Sequence, residues 1–252
     1  MSSRGQESRV ASRTSAFKPW LLGGFVALWI ASCIDPPWPY ELILQHIPTV
    51  IAIALLITLD RYQPMSLASF TAVLAFLCLH LLGARYLYSN VPYREWYNAL
   101  GGNAPSSLGW QRNHYDRLVH FCYGLMLVLV VRDVLDKSLR MPRAWGITLA
   151  IGAILASSAL YELLEWLIAI ALSPDQAEAY NGQQGDMWDA QKDMALALAG
   201  AIAGCIAVKR CRNKSLDRES GGRIRRETTG RDAVFSELLN RRHDPVFAHK
   251  WP

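Results

Sequence analysis

Gly185-Asp-Met-Trp-Asp-Ala-Gln-Lys-Asp193 heads an apolar run that continues to Val208. Asp189 and Asp193 stand four residues apart, so on a helix they share one face. The arrangement recurs at the head of an earlier apolar run, where Tyr115-Asp-Arg-Leu-Val-His120 sets Asp116 and His120 on one face. Between them, Glu162-Leu-Leu-Glu165 places two carboxylates near the tail of a third run. Ionisable groups inside apolar helices are costly and are kept where they pair or function. These three places decide the fold: an all-α, polytopic membrane helix bundle with a buried acidic site.

Working outward, the middle of the chain resolves into six apolar runs. They begin at Trp20 (or Phe17), Tyr40, Ser66, Tyr115, Trp145 and Met187, and end near Ile34, Leu59, Tyr88, Val134, Leu172 and Val208. A spanning helix needs roughly 17–25 residues; the first run reaches that only when taken from Phe17, and the fifth is long. Pro48 lies inside the second run and is expected to kink it. The whole chain has 252 residues, of which 52% are apolar and 19% charged. That average hides a segregation, because the charge collects at the two ends. Residues 1–18 read as a polar, disordered N-terminus, 19–208 as the transmembrane domain, and 209–252 as a basic, disordered tail.

Lys and Arg orient the spans. The N-terminus, the turn at Arg61, the loop with Arg132, Lys137, Arg140 and Arg143, and the tail all fall on one side. The loops 35–39 and 173–185 carry no Lys or Arg and fall on the other. Both termini are therefore expected to be cytoplasmic, in a bacterial inner membrane. The basic tail beside a span suits anionic lipid better than nucleic acid, so membrane lipid is the expected partner. The opening run also resembles a secretory signal, and Ile30-Ala-Ser-Cys33 a lipoprotein cleavage box, although a basic flank and an apolar run equally describe an ordinary first span. The five cysteines show no paired spacing and predict neither a disulfide framework nor a Cys-based metal site.

With this topology Asp116/His120, Glu162/Glu165 and Asp189/Asp193 all lie in the outer half of the membrane. At 1.5 Å per residue, Asp193 and His120 sit about 8 Å below their helix starts and Glu162 about 15 Å below its helix end. This agreement in depth predicts a single site. Five carboxylates left unpaired there would cost on the order of 10 kcal/mol. A bound divalent metal, a shared proton or a water-filled cavity would each relieve that cost. Carboxylates with imidazole suit Mn, Fe or Zn. The expected ligands are Asp116, His120, Glu162, Glu165, Asp189 and Asp193, with His80 and Asp186 as possible additions.

Structural readings compete at several positions. Asp186, Asp189 and Asp116 lie near helix starts, where acids favour the helix dipole and cap backbone N–H groups. For Asp186 that reading leads. It does not serve Asp193 and His120, which lie past the first turn, nor Glu162 and Glu165, where acids oppose the dipole. His80 is alone in its run and suits a satisfied core histidine as well as a ligand, and His46 reads as structural. Gly200-x-x-x-Gly204 continues the Asp189–Asp193 face and is expected to close the bundle below the site.

Tyr115-Asp-Arg-x-x-His-Phe121, Tyr161-Glu-x-x-Glu-Trp166 and Gln184-Gly-Asp-x-Trp-Asp-x-Gln-x-Asp193 resemble the YjdF-like family of bacterial inner-membrane proteins, as does His80-x-x-Gly-x-x-Tyr-x-Tyr88. The resemblance covers most of residues 20–208 and implies a fold and a location, not an activity. More distantly, the order Asp-x-x-x-His, Glu pair, Asp-x-x-x-Asp is similar to VanZ-like membrane proteins, which would imply a cell-envelope role. Two functions fit the residues. One is a metal-dependent membrane hydrolase acting on an envelope or lipid-linked substrate, with Glu165 as the base. The other is a cation or proton transporter using the same acids. The clustering of those acids at one depth, with no charged relay continuing inward, favours the enzyme.

Overall fold

The computed structural model describes residues 3–103, 112–139, 142–171 and 182–210, with side chains described from residue 16 onward. Among the described residues the structure is helical, with no strand. The elements are α1 (Ser3–Ser32), α2 (Pro39–Tyr62), α3 (Leu67–Arg85), the short α4 (Tyr93–Ala99), α5 (Tyr115–Ser138), α6 (Arg143–Ala171) and α7 (Asp189–Arg210). Five of these, α2, α3, α5, α6 and α7, are long and apolar enough to cross a membrane. The first apolar run forms a shorter helix, Ala16–Ser32, within α1. Helix α1 also runs back through the polar stretch that composition alone assigns to a disordered terminus. The loop expected between the third and fourth spans contains α4, which buries none of its residues.

Local signals account for the helix ends. Pro39 opens α2, where its missing N–H costs nothing, and the helix continues through Pro48. The Ser66 side chain accepts the backbone N–H of Ser69 at the start of α3. The turn between α2 and α3 is fixed from three directions. The Lys18 ammonium, itself buried in α1, donates to Asp60 Oδ1 at 2.6 Å and to the Met65 carbonyl at 2.8 Å. Asp133 of α5 accepts the Ser66 N–H at 2.7 Å, and Lys137 donates to the Pro64 carbonyl at 2.6 Å.

Helix α3 packs against α1, α2 and α5, and α5 packs against α6. One core joins α1, α2 and α3 through Phe25, Leu56, Phe70, Leu74 and Leu77. A second joins α5, α6 and α7 through Val128, Ala150, Ile154, Ala197 and Ala201. The outward faces are apolar too: Ile43, Ile47 and Ile51 of α2, and Leu160, Leu163, Leu167 and Ile170 of α6, are all exposed. A helix that is apolar on every side suits a lipid surround. Tyr40, Tyr62, Trp145 and Trp166 stand near the ends of these helices, where amphipathic rings favour the headgroup level.

Helices α5 and α7 approach backbone to backbone. A β-carbon on Gly124 would collide with the Ala197 carbonyl, and one on Gly200 with the Phe121 carbonyl. On Gly204 it would lie 2.7 Å from the Leu125 carbonyl. Small residues permit this approach, which van der Waals contact and Cα–H···O contacts then reward. The sequence motif supplied one side of the seam, Gly200 and Gly204. Gly124 supplies the other. A Gly124→Val variant is predicted to lose at least about 2 kcal/mol of stability, whereas Gly152→Ala, where a β-carbon meets nothing within 4 Å, should be near neutral. Thermal unfolding of both in detergent, beside the parent, checks this, and equal midpoints would contradict the seam.

Candidate functional site

The seam positions the chemistry. Asp193 lies one turn before Ala197 on α7, and His120 one turn before Gly124 on α5, so the close approach sets the two side chains together. One ligand atom each from Asp116, His120 and Asp193 lie within 4.8 Å of one another. His120 Nε2 is 3.6 Å from Asp116 Oδ1, one turn earlier, and His120 Nδ1 is 3.7 Å from Glu162 Oε1 on α6. Three helices therefore meet at His120. Asp193 is 2% exposed, yet its Oδ1 has no hydrogen-bond partner, and neither does Glu162 Oε1. A buried carboxylate oxygen without a donor is expensive, so this pair of orphans asks for a proton or a cation.

The other acids are already spoken for. Arg112, just before α5, forms an ion pair with Asp189 and donates to the Gln183 carbonyl at 2.5 Å. Arg117 donates to Asp186 at 2.5 Å and lies 3.7 Å from Asp189. Lys192 donates to the same Asp186 oxygen at 2.6 Å. Asp186 also accepts the Trp188 N–H at 3.1 Å, two residues on, a local turn that leads into α7. The Lys192 hydrogen bond leads the causes that hold the Asp186 carboxyl down at about 2. Around this rim the chain is stitched tightly. Gln184 accepts the Asn113 N–H at 2.9 Å and donates to the Asn113 carbonyl at 3.1 Å, and Asn113 donates to the Val91 carbonyl at 2.8 Å. Gly185 holds a φ of +77°, a turn conformation that a side chain would strain.

Of the residues singled out by spacing, the structure thus gathers Asp116, His120 and Asp193, with Glu162 at the edge. Asp189 and Asp186 face the arginines. Glu165 has the Tyr161 side chain, one turn earlier, as a hydrogen-bond partner. His80 lines the same cavity as Asp116 and His120 but contributes none of the three ligand atoms that group together. Its Nε2 is 3.0 Å from the Gln45 carbonyl and 2.9 Å from the Thr49 hydroxyl, and its Nδ1 faces the Tyr88 hydroxyl. With Nε2–H donating to Gln45 and Nδ1 accepting from Tyr88, this is a satisfied core imidazole. His46 stacks edge-on to Trp29 and lies 3.4 Å from Cys33 Sγ. The residue that spacing rules missed is Arg112, which sits in a loop and acquires its role only from the chain reversal that brings 183–189 over the start of α5.

Two cavities flank the group. One, of about 190 Å³, has Asp116 and His120 in its wall. The other, of about 390 Å³, is lined by Glu162, Glu165, Gln183 and Asp189. The His120–Glu162 pair stands between them. Residues 104–111 and 172–181 lie outside the described residues, as does the basic tail from 211 onward.

Residues 17–214 match the family model described as Predicted membrane protein (DUF2238). The chain is 32% identical over 177 residues to the Inner membrane protein YjdF of Escherichia coli K12, an alignment covering 70% of this chain and 81% of that protein. No solved structure matches it.

Removing the Arg112 charge strands Asp189, which is 5% exposed. An Arg112→Ala variant is predicted to lose about 3–5 kcal/mol, and Arg112→Ala/Asp189→Asn to recover much of it. A double-mutant cycle on detergent unfolding midpoints checks the pairing, and strictly additive losses would contradict it. Asp186 sets a separate acid limit. Because its folded carboxyl titrates lower than the ordinary value of about 4, its contribution is complete above that value and is lost as pH falls towards about 2. An Asp186→Asn variant should therefore show a shallower stability loss than the parent across that window.

Proposed function

Because this chain belongs to the DUF2238 family of membrane proteins, as a multi-pass protein of the bacterial inner membrane, we propose that its buried Asp116/His120/Asp193 group holds a divalent metal and acts on an envelope or lipid-linked substrate. The observation that carries this is the buried Asp193 carboxylate, one oxygen of which has no donor and which offers an oxygen within 4.8 Å of ligand atoms of Asp116 and His120. Two ligands each about 2.1 Å from one ion lie at most about 4.2 Å apart, so closing on an ion requires side-chain shifts of under about 1 Å.

The donor set is two carboxylates and one imidazole, which suits Mn, Fe or Zn and leaves coordination positions open. His120 would bind through Nε2, on the Asp116 side, and aim Nδ1–H at Glu162, the usual orienting arrangement for a ligating histidine. Arg112 and Arg117 pair with Asp189 and Asp186, which would leave the other acids to hold the ion. A bound ion supplies a water that is acidic enough to become a nucleophile at neutral pH. Glu165, lining the larger cavity, is assigned as the base that takes its proton. The expected topology puts this chemistry at the outer leaflet.

The second reading, a cation or proton transporter, draws support from the cavities on both sides of the His120–Glu162 pair. Elemental analysis of the purified, detergent-solubilised protein separates the two. The parent is expected to carry about one Mn, Fe or Zn per chain, and a folded Asp193→Asn variant at least about tenfold less. Glu165→Gln should retain the metal. A parent free of metal after candidate ions are added back would end the metal reading and leave transport through the same acids to be assayed.

A further inference from the structure

The smaller cavity has a composition and a position that the metal group does not explain. Its walls include Pro48 and Ala52 of α2, Phe76 and Leu77 of α3, Val119 of α5 and Ser158 of α6, together with Asp116 and His120. Helices α2 and α6 both line it, yet they form no packed interface with one another among the described residues. The space between them is walled on its other sides by α3 and α5, and both α2 and α6 carry exposed apolar side chains, among them Ile51, Leu55, Leu155 and Leu160.

At about 190 Å³ the space is more than ten times what one water needs. The wall mixes these apolar side chains with His80, Tyr88, Tyr123, Ser157 and Tyr161, and protein interiors rarely leave a space of this size empty. One of its polar groups is unsatisfied. Ser158 is 2% exposed and its hydroxyl has no partner. Its neighbour Ser157 behaves as helix serines usually do, donating back to the Ala153 carbonyl at 2.7 Å. Ser158 lies one turn before Glu162, on the face that looks towards His120. A ligand that satisfies this cavity is apolar over most of its length and carries an oxygen near Ser158.

We infer that the gap between α2 and α6 is a lateral binding site for a single-chain amphiphile drawn from the bilayer, its apolar chain against Ala52, Phe76, Leu77 and Val119 and its oxygen-bearing end at Ser158 beside Asp116 and His120. This names the substrate class for the proposed metal group, and the placement of the head end rests on that reading; the chain pocket itself does not.

The test uses the full-length protein in phosphatidylethanolamine/phosphatidylglycerol nanodiscs and a monoacylglycerol carrying a diazirine midway along its chain. After irradiation, labelled residues are mapped by mass spectrometry, and metal content is measured on the same samples. The expected result is saturable labelling of Phe76, Leu77 or Val119 that an excess of unlabelled monoacylglycerol competes away. It should fall at least fivefold in Ala52→Trp, which fills the gap. In Ser158→Ala, which preserves the fold and the volume, the probe concentration for half-saturation should rise at least threefold. Labelling of Leu163 and Leu167 on the lipid face should persist in every variant and never saturate. Labelling confined to those exposed positions, or pocket labelling unchanged in both variants, overturns the site. Because metal is measured separately, a labelled pocket without metal retains the chain site and removes the metal reading, and metal without pocket labelling does the reverse.

Discussion

A β-carbon at Gly124 would collide with the Ala197 carbonyl, and one at Gly200 with the Phe121 carbonyl. That mutual absence of side chains lets α5 and α7 touch along their backbones, and the acidic site depends on it. Carboxylate and imidazole side chains are short. Asp193 can share a site with His120 and Asp116 only because the helices that bear them are in backbone contact one turn below. In a membrane, where lipid tails compete on equal terms with apolar side chains, close fit of small residues is a principal source of helix association. Packing and chemistry are therefore two registers of one helix face. On α7 that face reads Asp193, Ala197, Gly200 or Ala201, Gly204; on α5 it reads Asp116, His120, Gly124, Val128.

The acids around this seam are divided by what compensates them. Asp186 and Asp189 meet Arg112, Arg117 and Lys192, which form a rim of alternating charge where α5 and α7 begin. Asp116, Asp193 and Glu162 meet one another and one imidazole. Fixed cations at the rim and none at the centre is an arrangement that pins the helices without neutralising the site. Had Arg112 reached Asp193, the central oxygens would be satisfied, and nothing would remain to bind.

Much of this was legible in the sequence. Hydropathy marked the long helices, since an apolar run of that length has few other outcomes. The i,i+4 spacing of Asp116/His120 and Asp189/Asp193 gave the shared faces, and Gly200-x-x-x-Gly204 gave half of the seam. The same spacing could not separate Asp189 from Asp193. One is paired and the other is not, and the difference lies in Arg112, some eighty residues away in sequence and close only after folding. Gly124 has no small residue at the matching four-residue interval, so its half of the seam had no motif. His80 stayed ambiguous because its partners, Gln45 and Thr49, come from a different helix. Helix α4 has too few residues for a period to be read.

The positions of the cavities bear on what the site can be for. A structural polar network would be expected to close on itself, each donor meeting an acceptor, because in a bilayer no water repairs a fault. This one does not close. Asp193 Oδ1, Glu162 Oε1 and Ser158 Oγ are buried without partners, and they are not scattered. Glu162 faces His120, Asp193 shares its group, and Ser158 lies a turn from Glu162. Two cavities adjoin them, one with Asp116, His120 and Ser158 in its wall and the other with Glu162, Glu165 and Asp189. Among the buried side-chain atoms without partners, these three lie together beside unfilled volume, and the cost of each is recovered when a ligand supplies the missing contact. That coincidence argues for a binding site over a scaffold, whichever ion or lipid fills it.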